Sequence, residues 1–174
     1  MIVVVRDSFS LPVNDAVVTI NHGSFGTMTL PWDSLVPGQY TSVLLSYDEG
    51  DYTLNVTRGT DFISNARIFG PDIHSILYPT SADTLRQDSA FTVLWSRTNA
   101  ADAVEIETRD YGPTLITGTG SIDDGSFEIP ASMTARSDQR IRIWRSNTTV
   151  LTTGWPGSDF EVVIRNSVES IVVQ

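Results

Sequence analysis

Apolar and polar positions along this chain alternate in short runs, and the period is two rather than three to four. Tyr52, Leu54 and Val56 share one parity, while Asp51, Thr53, Asn55 and Thr57 share the other. Phe91, Val93 and Trp95 form a second such row, and Ile141 with Ile143 a third. Alternation of this kind describes strands with one face on a core and one in water. No helical period of useful length appears. The pattern predicts strands over residues 2–5, 16–21, 27–30, 39–45, 52–57 and 61–68. It then predicts strands over 73–78, 91–96, 103–109, 114–117, 126–129, 139–146, 160–165 and 168–173. Turn residues separate them: Asn21-His22-Gly23, Pro37-Gly38, Asp48-Glu49-Gly50 and Arg58-Gly59. The parity of the apolar positions changes near Asn166-Ser167, which predicts a bulge or turn there.

At 174 residues the chain has room for two sandwich modules of roughly 80–100 residues each. Gly70-Pro71-Asp72 reads as the junction, because proline does not sit in a central strand and glycine lets the chain swing. The expected organisation is an all-β protein of two tandem immunoglobulin-like β-sandwich domains, residues 1–70 and 73–174.

Several motifs sharpen this expectation. The first half carries Val3-Val4-Val5-Arg6-Asp7, then Pro12-Val13-Asn14-Asp15-Ala16-Val17-Val18-Thr19-Ile20, Pro37-Gly38-Gln39-Tyr40 and Tyr52-Thr53-Leu54-Asn55-Val56-Thr57. Residues 3–68 thereby resemble bacterial immunoglobulin-like modules, including the carboxypeptidase regulatory-like family. That family often has a glycine before the Pro-Val pair, where this chain has Ser10-Leu11. The second half carries Phe91-Thr92-Val93-Leu94-Trp95, Ala101-Asp102-Ala103-Val104-Glu105-Ile106 and Ile141-Arg142-Ile143. Residues 85–174 resemble a fibronectin type III module. Both resemblances imply scaffold, and such scaffolds host many unrelated functions.

Charge and composition narrow the classes. The formal net charge is −10 and all 11 basic residues are arginine. A phosphate backbone needs a positive stripe, so nucleic acid is not an expected partner. No apolar stretch approaches the roughly 20 residues of a spanning helix. There is no cysteine, so thiol chemistry, disulfides and Cys-based metal sites are excluded. The segment from Met1 to Arg6 reads as a first strand and is too short for a signal-peptide core. The expected location is extracytoplasmic, in a periplasm, on a bacterial surface or secreted, with any leader or lipid anchor outside this chain.

Candidate chemistry is sparse. The two histidines, His22 and His74, belong to no spaced motif. The acidic clusters at Asp48-Glu49-Asp51 and Asp123-Asp124 read more simply as hairpin-turn carboxylates than as a calcium loop. No cofactor, metal site or catalytic constellation is expected. Two Asn-x-Thr triplets occur, at Asn55 and Asn147. Surface features are more informative. Glu105, Glu107 and Arg109 should point outward from one strand, and Arg140, Arg142 and Trp144 from its neighbour. They form either a cross-strand charge ladder or an interaction patch. Trp32 and Trp155 sit in predicted loops, as core plugs or as stacking platforms. The terminal strand Ile2, Val3, Val4, Val5 is apolar on both faces and could add to a neighbour's sheet. The expected function is a non-enzymatic binding or structural module that contacts a protein partner or a second copy. The alternative is a carbohydrate-binding accessory module that uses Trp32, Trp155 or Tyr111.

Overall fold

The computed structural model describes residues 2–6, 9–42, 47–109, 114–117, 123–134, 138–154 and 158–174. Among them every regular element is a strand, apart from one 3-10 turn at Ala131–Met133. The chain divides into two compact units. The first comprises Met1–Gly70 and Thr148–Val162, the second Pro71–Asn147 and Val163–Gln174. The chain thus passes from one unit to the other at Gly70-Pro71. The later boundaries depart from the contiguous division 1–70 and 73–174. Residues 148–162 group with the first unit, and Phe160 is buried in its core.

In the first unit, β2 (Val17–His22), β3 (Gly26–Leu30), β5 (Asp51–Arg58) and β6 (Asp61–Phe69) form an antiparallel sheet in the order β3-β2-β5-β6. A smaller sheet pairs β1 (Ile2–Val4) with β4 (Gln39–Thr41). The core takes the inward row of each strand: Val18 and Ile20, then Tyr52, Leu54 and Val56, then Ile68. Tyr40 joins them from β4. Its hydroxyl donates to the Val13 carbonyl at 3.1 Å and accepts from the Ala16 amide at 2.8 Å. An apolar ring thereby fills the core while its polar end satisfies one buried and one half-buried backbone group. Gly38 brings the chain past this point. Its φ is +77°, and an added Cβ would lie 2.8 Å from the Val5 carbonyl oxygen, so a side chain is excluded on both counts.

The second unit has a three-stranded sheet in the order β12-β9-β7, from β7 (Ile76–Tyr78), β9 (Phe91–Trp95) and β12 (Ser126–Ile129). A five-stranded sheet in the order β11-β10-β13-β14-β8 completes it. Its strands are β8 (Thr84–Leu85), β10 (Ala103–Thr108), β11 (Thr114–Thr117), β13 (Asp138–Val150) and β14 (Asp159–Val173). The unit boundaries at residues 147/148 and 162/163 fall inside β13 and β14. One continuous core draws on both sheets: Phe91, Val93, Trp95 and Ile129 from the smaller, and Val104, Ile106, Ile141, Ile143 and Ile171 from the larger. The first, third and sixth strands of this unit form one sheet. The second crosses over to run parallel with the last. The unit is an immunoglobulin-like sandwich, two sheets packed over a core of alternating residues.

The change of parity in the last strand occurs, but further along than Asn166-Ser167. Val162, Ile164, Asn166 and Val168 hold one parity half-buried, and burial then passes to Ile171 and Val173. The extra residue is Ser170, at φ +60°. Val163, apolar but exposed, obscures the first parity in the sequence and displaced the reading by about one turn of the pleat.

Candidate functional site

The inward row of β13 is Gln139, Ile141, Ile143 and Arg145. Its last member places a guanidinium where the row reaches the end of the second unit's core. Arg145 is fully buried, with 0% exposure, and Asp123 faces it. Arg145 Nε donates to Asp123 Oδ2 at 2.8 Å, and Nη2 lies 2.6 Å from the same oxygen. Nη1 donates to the Asp72 carbonyl at 2.8 Å, and Nη2 to the Asn99 carbonyl at 2.5 Å. Asp123 is shared further. Its Oδ1 accepts the Trp95 indole N–H at 2.8 Å, and its Oδ2 the Ala101 amide at 2.8 Å. The Asp72 carboxylate accepts the Thr98 amide at 2.8 Å, the Asn99 side-chain amide at 3.1 Å, and the Asn99 backbone amide. Burial works to raise the Asp72 pKa. The donors from Asn99 and Thr98, then the Arg145 charge, outweigh it and hold the carboxyl below its ordinary value.

Donors and acceptors in this cluster answer one another. Three loop segments, around residues 72, 99 and 123, are tied to one strand and to the core tryptophan. Such a network orders loops. Sequence reasoning missed it. Asp124 is a turn carboxylate, accepting the Ser126 amide and hydroxyl, but its neighbour Asp123 is buried. The usable signal was parity: Arg145 continues the inward row that Ile141 and Ile143 define.

His74 borders the cluster. It is 2% exposed, and neither ring nitrogen has a hydrogen-bond partner of good geometry. Burial lowers its pKa to about 4, and the Arg145 charge acts in the same direction. The Ile143 backbone and Asp123 oppose both only in part. His22 in the first unit is also buried. Its Nδ1 lies 2.8 Å from Ser24 Oγ and accepts the Ser24 amide at 3.2 Å, which closes the β2–β3 turn. Its ring stacks on Phe25 and packs against Tyr52 at a centroid distance of 4.5 Å. Both histidines are therefore interior, His22 at the turn and His74 near the junction.

The outward row of the five-stranded sheet has the expected neighbours. β10 pairs with β13 so that Glu107 stands opposite Arg142 and Glu105 opposite Trp144. Glu107 is bonded to Arg140, lies 3.5 Å from Arg142, and Arg142 lies 3.9 Å from Glu169. Arg140 and Arg142 are thus engaged with carboxylates in a charge ladder, and Trp144 beside them is half-buried.

The terminal strand is paired within the chain, Ile2 with Thr41, Val3 with Tyr40 and Val4 with Gln39. The Val5 amide donates to the Gly38 carbonyl, and the Val5 carbonyl accepts from Val13. Trp32 bridges to Tyr40, so one small sheet carries both Trp32 and the Ile2–Val4 strand. Trp32 is 45% exposed and is no core plug. Beyond it Leu35 is 87% exposed and Val36 also faces water. The loop that presents them is braced by Asp33, whose carboxylate accepts the Leu35 amide at 2.9 Å and whose own amide donates to the Gln39 carbonyl at 2.7 Å. Trp155 and Tyr111 lie outside the described residues. The asparagines of the two Asn-x-Thr triplets each accept a backbone amide, Asn55 from Asn65 and Asn147 from Asp102.

A cleft of about 570 Å³ in the first unit has Val13 and Val56 among its lining and Arg6, Arg58, Asp61 and Phe62 around it. Arg58 is bound to Asp15 at 2.7 Å and stands opposite Asp61 in the β5–β6 register. Arg6 donates to the Ser10 carbonyl. The polar groups of the cleft are largely engaged within the fold. Among the described residues no group of three or more acids or histidines converges as a metal site would require, and no helix is long and apolar enough to cross a membrane.

No protein-family model and no curated protein matches the chain. Among solved structures it is similar to fibronectin(III)-like modules of Clostridium thermocellum CbhA. The identity is 10% and the TM-score 0.38, over 97% of this chain and 82% of that one. The chain is an all-β protein of two β-sandwich units, a class defined here by its own sheets and cores.

Proposed function

We propose that this chain is a non-enzymatic, extracytoplasmic binding or structural module, a protein-interaction component of a bacterial surface protein or larger assembly. Its first unit is, on this reading, a bacterial immunoglobulin-like module related to the carboxypeptidase regulatory-like family. The observation that carries the reading is the Trp32 loop. A monomer gains nothing from holding Trp32, Leu35 and Val36 in water on a loop braced by its own carboxylate. Tryptophan is enriched among the anchors of protein contacts, and a preorganised loop lowers the entropy cost of forming one. The polar clusters, by contrast, are internally answered and fit a scaffold. The same small sheet contains Val4, also exposed, so the contact surface extends from the loop onto the terminal strand.

Photo-crosslinking tests this directly. A photoreactive residue at position 35 should give a defined adduct with a partner from the cell envelope or with a second copy. The adduct should disappear with Trp32→Ala. The same group at position 150, where Val150 is also exposed, serves as the control. Equal labelling from both positions, or labelling indifferent to Trp32, refutes the assignment. Carbohydrate is the second reading, favoured by an exposed indole beside Asp33 and Gln39. A glycan array signal abolished by Trp32→Ala would select it.

A further inference from the structure

The segment at residues 71–75 is held against the rest of the second unit by four sets of bonds. Arg145 donates to the Asp72 carbonyl, and the Asp72 carboxylate caps the Thr98 and Asn99 amides. Asn166 Nδ2 donates to the His74 carbonyl at 2.7 Å. Ser75 and Ser96 exchange bonds, the Ser75 amide donating to Ser96 Oγ at 2.8 Å and the Ser96 amide to the Ser75 carbonyl at 2.9 Å. The imidazole of His74 lies buried beneath this segment with both nitrogens unpartnered.

The geometry points to an acid-triggered latch: when the His74 imidazole takes up a proton, residues 71–75 are released from the Arg145 cluster and this end of the second unit opens. An imidazolium carries two N–H donors and a positive charge. At this site the Ile143 backbone is the acceptor that faces it, and the second donor has none of good geometry among the described residues. The charged groups that act on it are Arg145 on β13 and Asp123 from the loop before β12, and Asp72 lies two residues away along its own segment. Arg145 repels it. Asp123 is already committed to Arg145, Trp95 and Ala101, and Asp72 to Thr98 and Asn99. The Ile143 backbone offers only partial compensation. Protonation therefore favours any state in which the imidazole reaches water.

The direction follows from linkage. The folded His74 sits near 4, below the roughly 6.5 of a free imidazole, so the open state binds the extra proton. Stability of the closed state is fully present above about 6.5 and is lost as pH falls towards 4. The Asp72 carboxyl is also lowered, but its contribution is lost only as pH falls below the ordinary carboxylate value near 3.9, so the two windows are separate.

Amide hydrogen exchange on the intact chain reads the latch at the Thr98, Asn99 and Ala101 amides, each held by a carboxylate of the cluster. Their protection factors should fall by up to about tenfold per pH unit between about 6 and 4. In His74→Phe the fall in this window should disappear while the loss below 4 remains. An independent measurement covers a variant that does not fold. The chain has two histidines, so proton NMR of the native protein, assigned with His22→Gln, isolates the His74 ring signals. These should stay in the neutral form down to about pH 5. Titration of His74 near 6.5 in the folded protein, or a wild-type slope in His74→Phe, overturns the proposal.

Discussion

Replacing Arg145 with methionine tests whether the buried cluster holds the second unit together. Methionine nearly matches the stem of arginine in volume, so packing changes little and the loss is electrostatic. The structure sets the size of the effect. Asp123 would keep the Trp95 and Ala101 donors but lose both guanidinium contacts, at 2.8 and 2.6 Å, while remaining buried. The carbonyls of Asp72 and Asn99 would each lose a donor. Removing one partner of such a pair costs about 3–5 kcal/mol, most of it the penalty of an uncompensated charge. Asp123→Asn should cost a similar amount by stranding Arg145. The double variant should be well short of additive, because neither position 123 nor position 145 is then left with an uncompensated charge and the further loss is of neutral hydrogen bonds of about 1 kcal/mol each. Urea unfolding followed by NMR of the Trp95 indole N–H reports on this unit specifically. Midpoints would be compared at constant slope. Single variants that lose less than about 1 kcal/mol, or strict additivity in the double, would refute the view that the cluster is one coupled unit.

Two smaller perturbations probe other features of the same unit. Arg142→Glu places like charges opposite one another at Glu107 and should cost about 0.5–1.5 kcal/mol, with partial recovery when Glu107 is changed to arginine. No recovery in the denaturation midpoint would show that the ladder is not an electrostatic pair. Ser170→Gly should stabilise by up to about 1 kcal/mol, because φ +60° strains a serine and not a glycine. A fall in melting temperature would instead assign Ser170 a side-chain role.

Much of this protein was legible from periodicity alone. Burial of alternate residues is a local consequence of the pleat, so the rows through Tyr52, Val93 and Ile141 were readable without a partner strand in view. Adjacency of β10 and β13 also followed, once a sandwich order was assumed, and with it the Glu107–Arg142 opposition. Three things were decided only in three dimensions. Residues 148–162 join the first unit, because Phe160 finds its apolar partners there and strand patterning names no partner. The Arg145 cluster draws on residues near 72, 95, 99, 123 and 145, and no local pattern records that such distant groups converge. Both histidines proved interior for the same reason: turn chemistry identifies where a chain reverses, but the packing of neighbouring elements determines whether water reaches the ring. Parity tells which way a side chain points. Only the assembled fold tells what it meets there.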